Sequence, residues 1–277
     1  MLKKTIYILL IGLFACEKVV IVDLPDPQGL VVVEGWVTDT VSTHQIRLTR
    51  SNAFSANSDV LPIEDAQVIV QSRTGQIYSY SYSSNGYYEA ETPYEGISGI
   101  EYRVRILVDT SEIRSDWDMM PEKVSIETLE ISSFQENDPN NPNQQITIFF
   151  PKISSLDPDS NENYYRWVFF KNNEIFIEPE SITIQNDRFF DGNLIPNNFQ
   201  NFSYDPGEKI TVELQSISSN TFNYLSLLKS QITTLGTSSG TTPAIVSGNL
   251  NYLDIENEHV LGFFGTRAIS VESIDVP

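Results

Sequence analysis

The chain is poor in cysteine, histidine and basic residues. One cysteine, Cys16, leaves no possibility of an internal disulfide. Two histidines, His44 and His259, stand far apart and outside any metal-ligand spacing, so neither a zinc site nor a Ser-His-Asp arrangement is legible. Lys plus Arg number 17 against 37 Asp plus Glu, a formal charge of −20 at pH 7. Such a surface repels phosphate backbones, and nucleic acid is excluded as an expected partner. No nucleophile–base pair and no well-spaced pair of carboxylates is visible, so no enzyme, no cofactor and no metal is expected.

What the chain does have is a marked start. Lys3 and Lys4 precede an uncharged apolar run from Thr5 to Phe14, and the small Ala15 stands before Cys16. A basic start, a short apolar core and a small residue at the cut make a secretory signal, too short to span a bilayer. The cysteine at the cut resembles a bacterial lipoprotein signal, in which Cys16 is acylated with palmitate-like chains and becomes the first mature residue. Each buried methylene contributes about 0.8 kcal/mol and one chain holds only marginally, so the multiple acylation that the resemblance implies is an ample anchor to a lipid bilayer. Without Lys3 and Lys4 the mature body keeps 15 of its 17 basic residues against 37 acidic, a balance of −22.

After the cysteine, Glu17 to Gln28 reads as a tether, with Pro25 and Pro27 favouring an extended segment. From Leu30 onward the pattern is β. Leu30 to Thr38 is rich in β-branched residues, Gln45 to Arg50 alternates, and Ala66 to Gln71 and Glu101 to Val108 follow suit. Ile77 to Tyr82 alternates strictly, with Tyr78, Tyr80 and Tyr82 on one face, and Asn85-Gly86 is a strong hairpin signal. Met119-Met120-Pro121 reads as a seam. Beyond it Val124 to Phe134, Gln145 to Pro151, Tyr164 to Lys171 and Lys209 to Ser216 are strands, with polar loops at 138–143 and 154–163. Asn220 to Leu235 breaks the pattern. Phe222, Leu225, Leu228 and Ile232 recur at helical spacing, Ser219 or Asn220 can cap the helix and Gly236 can end it. Short pieces after it, Ala244 to Ser247, Val260 to Gly265 and Arg267 to Val271, read as closing strands.

Three constellations carry candidate chemistry. Gly236 to Gly240 matches Gly-x-Ser-x-Gly, but a nucleophile elbow needs a strand before it and a helix after it, and here a helix precedes and a loop follows. Asp157 to Asn163 places oxygen ligands at alternate positions as calcium loops do, yet lacks the glycine and the terminal glutamate of that loop; a self-solvated hairpin loop is the alternative. Phe189 and Phe190, flanked by Asp187-Arg188 and Asp191-Gly192, form either an exposed platform for a ligand or partner or a buried pair beside a turn. The Tyr78, Tyr80, Tyr82 ladder is open in the same way: tyrosine suits a partner surface and a half-buried strand equally.

Together Cys16-Glu17, Asp23-Leu24-Pro25, the run Val32 to Asp39, Arg47 to Arg50, Tyr87-Tyr88, Tyr164 to Trp167, Asp187 to Gly192, the helix from Asn220, Gly248-Asn249 and Leu261 to Phe264 resemble the Bacteroidota lipoproteins of the domain-of-unknown-function family numbered 4249. The resemblance implies an outer-membrane lipoprotein, on the cell surface or the periplasmic face, whose partner is a TonB-dependent barrel. It brings no functional residue with it. The expected organisation is a signal peptide over 1–15, an acylated cysteine and tether over 16–28, a β-sandwich domain of immunoglobulin or transthyretin type over 29–121, and a second β domain over 122–277 with its helix near 220–235. The expected function is a non-enzymatic accessory or substrate-capture lipoprotein, with a free-standing adhesive module as the alternative and a surface hydrolase third.

Overall fold

The computed structural model describes residues 29–52, 61–159, 162–176, 182–234, 246–255 and 258–277. Cys16, the tether and the 236–240 motif lie outside them. In the first half the strands are β1 (Val31–Thr38), β2 (Gln45–Arg50), β3 (Leu61–Pro62), β4 (Gln67–Ser72), β5 (Ile77–Ser84), β6 (Tyr87–Ala90), β7 (Glu101–Val108), β8 (Ser111–Ser115) and β9 (Asp118–Met119). The second half adds β10 (Ile126–Asp138), β11 (Asn141–Leu156), β12 (Tyr164–Lys171), β13 (Glu174–Ile175), β14 (Thr183–Asn186), β15 (Leu194–Asn198) and β16 (Lys209–Ile217). The helix α1 (Ser219–Thr234), β17 (Leu250–Tyr252) and β18 (Leu261–Asp275) complete it. The fold is all-β with one described helix.

Most strands join one long sheet in the order β13-β12-β16-β18-β1-β2-β6-β5-β4-β7-β8-β17; a three-stranded sheet, β10-β11-β15, stands apart. The Asn85-Gly86 turn forms as the dipeptide predicts, with φ of 51° and 82°. In the first half the sheet curls until β7 and β17 approach β18. Alternate residues Val31, Val33, Ile46, Leu48, Val68, Val70, Val104 and Ile106 point inward there. In the second half the three-stranded sheet covers β12 and β16, and Ile126, Ile153 and Ile195 meet Tyr165, Trp167, Phe169, Val212 and Leu214.

β18 ties the halves together. Its first residues run parallel to β1, from Val32 opposite Leu261 to Thr38 opposite Arg267, and the rest runs antiparallel to β16. Phe264 and Ala268 therefore complete the core of the first half, while Ile274 and Val276 reach the core of the second. The segments expected as two closing strands are one strand of 15 residues. Asp118 in β9 adds a polar pin: its buried carboxylate accepts the Thr266 N–H at 2.7 Å and the Ser218 hydroxyl at 2.5 Å. Burial raises the Asp118 pKa against these hydrogen bonds.

Several boundaries differ from the sequence reading. β10 and β11 form one long ladder, and the polar segment expected as a loop over 138–143 is a two-residue turn flanked by strand. Ladder hydrogen bonds form irrespective of side-chain polarity, so a solvated hairpin carries no hydrophobic alternation for a pattern to find. The helix is capped by Ser218, whose hydroxyl accepts the Thr221 N–H at 3.1 Å, rather than by Ser219 or Asn220.

Candidate functional site

The outward face of the long sheet, rather than its core, gathers the reactive side chains. Strand alternation puts Glu34, Trp36 and Thr38 of β1 on that face, since Val33, Gly35 and Val37 are buried. Arg267 of β18 lies across from Thr38, and Arg47 of β2 across from Glu34. Beyond β18 the same face continues through Gln215, opposite Ile269, to Arg166, opposite Gln215. Gly265 makes room for the indole: a Cβ there would lie 2.8 Å from Trp36 Cζ3. Helix α1 covers the neighbouring ground, where Tyr224 stacks on Phe263 at 4.7 Å and Phe263 in turn meets Trp36 at 5.9 Å.

Between these strands opens a pocket of about 430 Å³ whose walls include Trp36, His44, Arg47, Tyr87 and Arg267. The Arg47 guanidinium carbon lies 5.1 Å from the Tyr87 ring centre, and that of Arg267 lies 5.2 Å from Trp36. The Nε atoms of Arg47, Arg166 and Arg267 are buried and make no hydrogen bond, and the same holds for His44 Nε2. Glu34 is the one carboxylate among the lining residues, and it reaches Arg47 only at 4.0 Å. Burial, reinforced by the Arg166 charge, lowers Arg267 to about 10. Burial also lowers His44 to about 4, against a hydrogen bond to the Tyr94 backbone that raises it, while the Arg267 charge lowers it further. At neutral pH His44 is therefore an uncharged wall, its Nδ1 sharing a hydrogen bond with Ser42 Oγ at 3.0 Å.

The structure places the sequence-predicted residues elsewhere. Tyr80 is buried and hydrogen-bonds to Tyr94 at 2.7 Å between hydroxyls, and Tyr78 stacks on the Tyr94 ring at 3.6 Å. Tyr82 is 37% exposed, and its hydroxyl donates to Glu64 at 3.0 Å. The ladder is thus mixed along β5, with Tyr78 half-buried, Tyr80 buried and Tyr82 exposed. Phe189 and Phe190 part company: Phe189 is 83% exposed, while Phe190 packs against the core of the second half. In the calcium-like loop, the structure gathers Asp157, Asp187 and Asp191 within 4.8 Å of one another rather than the run of alternate positions. These carboxylates are engaged within the fold. Asp157 accepts the Tyr165 hydroxyl and the Gly192 N–H at 3.1 Å, and Asp187 accepts the Asn163 N–H at 2.6 Å. Burial and the two neighbouring carboxylates hold the Asp157 pKa up, against these bonds.

A family model described as Domain of unknown function (DUF4249) matches residues 17–273. The chain belongs to this family. No curated protein matches it. In this DUF4249 chain, three of the stretches that carried the resemblance converge on the pocket: the run through Trp36, the stretch Arg47 to Arg50 within β2, and Tyr87-Tyr88. The pocket itself escaped the sequence. Arg47 read as the polar half of an alternating strand and His44 as a poor zinc ligand. The available signal was a set of outward arginines alternating with buried aliphatics in strands of a chain otherwise short of cations.

Proposed function

We propose that this chain is a non-enzymatic, lipid-anchored capture protein of a Bacteroidota outer membrane, working as the accessory of a TonB-dependent transporter. The observation that carries the capture role is the open pocket, whose lining sets the Arg47 and Arg267 guanidiniums over aromatic rings. Its titratable side chains, two guanidiniums, a neutral imidazole, a phenol and one largely exposed carboxylate, suit holding a ligand better than attacking one. The anchor rests on the Lys3 to Cys16 pattern, and the transporter partnership on the family resemblance. Among the described residues no helix is long and apolar enough to cross a membrane, as a body held by lipid requires none.

The test is a mild-detergent pull-down of the tagged, lipidated protein from its own outer membrane, with mass spectrometry of what accompanies it. A stoichiometric TonB-dependent barrel is expected. Recovery of the protein alone, at salt low enough to keep weak contacts, would overturn the accessory role and leave a free-standing adhesive module. Loss of membrane association in Cys16→Ser tests the anchor separately.

A further inference from the structure

We infer that the pocket between Trp36, Arg47 and Arg267 binds an oxyanion: the carboxylate, sulfate or phosphate group of a small ligand. The inference takes its setting from the capture reading above, while its chemistry stands on the pocket alone.

The molecule is strongly anionic, with a formal charge of −20, yet here two guanidiniums face one carboxylate in the lining. Their Nε atoms, and that of Arg166 beyond them on the same face, are buried without an acceptor. Leaving buried charged donors unpaired costs free energy, and folds usually supply the acceptor themselves. The nearby carboxylates make their hydrogen bonds elsewhere, although the Glu213 charge also acts on Arg166 and Arg267. Glu213 accepts Gln215 Nε2 at 2.8 Å, and Glu89 accepts Gln45 Nε2 at 2.9 Å. Glu34, its side chain 58% exposed, stays at the 4.0 Å limit from Arg47. Gln215 itself gives Arg267 only a long contact of 3.5 Å. An entering oxyanion would bring negative charge to the Arg47 and Arg267 guanidiniums that line the pocket and offset the repulsion between Arg166 and Arg267 that helps to lower the latter.

The geometry also suits the shape of such a group. A guanidinium held over an aromatic ring keeps a planar edge of N–H donors, matched to the paired oxygens of a carboxylate, sulfate or phosphate. Trp36 and Tyr87 hold Arg267 and Arg47 in this way from adjacent strands. A cavity of about 430 Å³ falls within the span of small-molecule sites and is too small for a folded partner. His44 adds a neutral polar wall that does not compete for the charge.

Isothermal titration of the full lipidated protein in mild detergent tests this, with sodium acetate, D-glucuronate, sulfate and phosphate as probes at constant ionic strength and sodium chloride as reference. At least one oxyanion is expected to bind with a dissociation constant below about 1 mM, and Arg267→Gln and Arg47→Gln to weaken it about tenfold or more. Arg47→Lys, which keeps the charge but loses the fork, should recover only part of the affinity, and Lys209→Gln in β16 should change nothing. Arg47 is the half-exposed member, so its variants report on binding even if the Arg267 variant fails to fold. The order of the probes assigns the group as carboxylate, sulfate or phosphate. No oxyanion binding tighter than about 10 mM, or binding that the Arg47 variants leave unaltered, would overturn the inference. Because the pull-down reports on the barrel and the titration on the anion, either reading can fail while the other stands.

Discussion

The acidic cluster of the second half and the basic pocket on the sheet face both crowd like charges onto a β framework, and they resolve the crowding in opposite ways. Asp157 and Asp187 find donors within their own loops and strand: the Tyr165 hydroxyl, the Gly192 N–H and the Asn163 N–H. Arg47, Arg166 and Arg267 leave Nε atoms buried and unanswered. A charge that the fold answers is part of the fold, and removing it breaks structure. A charge that the fold leaves without an acceptor costs stability.

The largest effect that would test this contrast is at Asp157. Asp157→Ala strips the acceptor from a buried tyrosine and from the turn at Gly192, and should lower the unfolding free energy by about 3–4 kcal/mol in urea titration. Arg47→Gln should change the same measurement by less than about 1 kcal/mol. A large loss at Arg47 and a small one at Asp157 would reverse the comparison. Asp118, which joins the two halves through Ser218 and Thr266, should come next. Asp118→Ala leaves the buried Thr266 N–H unpaired and should cost about 2–3 kcal/mol, with tryptophan fluorescence and far-ultraviolet dichroism melting together if the halves unfold as one.

Acid sharpens the contrast on the basic side. The folded-state pKa of His44 is near 4, below the ordinary value of 6.5. A group depressed on folding contributes stability that is present above the unfolded pKa and is lost as pH falls toward the folded one. Between pH 7 and 4.5 the wild type should therefore lose about 2 kcal/mol more than His44→Gln in parallel denaturant titrations. Equal slopes would remove His44 from the account. The smallest expected effect is that of calcium. Because Asp157 and Asp187 already have donors, millimolar calcium should move the melting temperature by less than about 1 °C. A rise of several degrees, abolished in Asp191→Asn, would turn the cluster from a structural knot into a metal site.

Much of the framework was legible. Alternation found the strands, the Asn85-Gly86 dipeptide found its hairpin, and helical spacing found the one described helix to within a residue at its start. Tyr165, Trp167 and Phe169 alternate along β12 and lie together in the second core. What escaped was decided at long range. The polar tip of the β10–β11 hairpin has no apolar residue to extend its strands, and Phe189 and Phe190 are adjacent in sequence yet differ in burial because only one meets the second core.

The local code, through side-chain periodicity and turn chemistry, fixed the all-β class, the capping region of the helix and the inward faces of the strands, because those depend on neighbours a few residues away. The pocket depends on Glu34 meeting Arg47 across the antiparallel β1–β2 pair and on Thr38 meeting Arg267, a pairing set by the parallel docking of β18 on β1 across more than two hundred residues. Nothing in the spacing of Trp36, Arg47, Arg166 and Arg267 along the chain foretells that register. Only when the sheet assembles do these charges share one face, and only then do their Nε atoms lie buried without an acceptor.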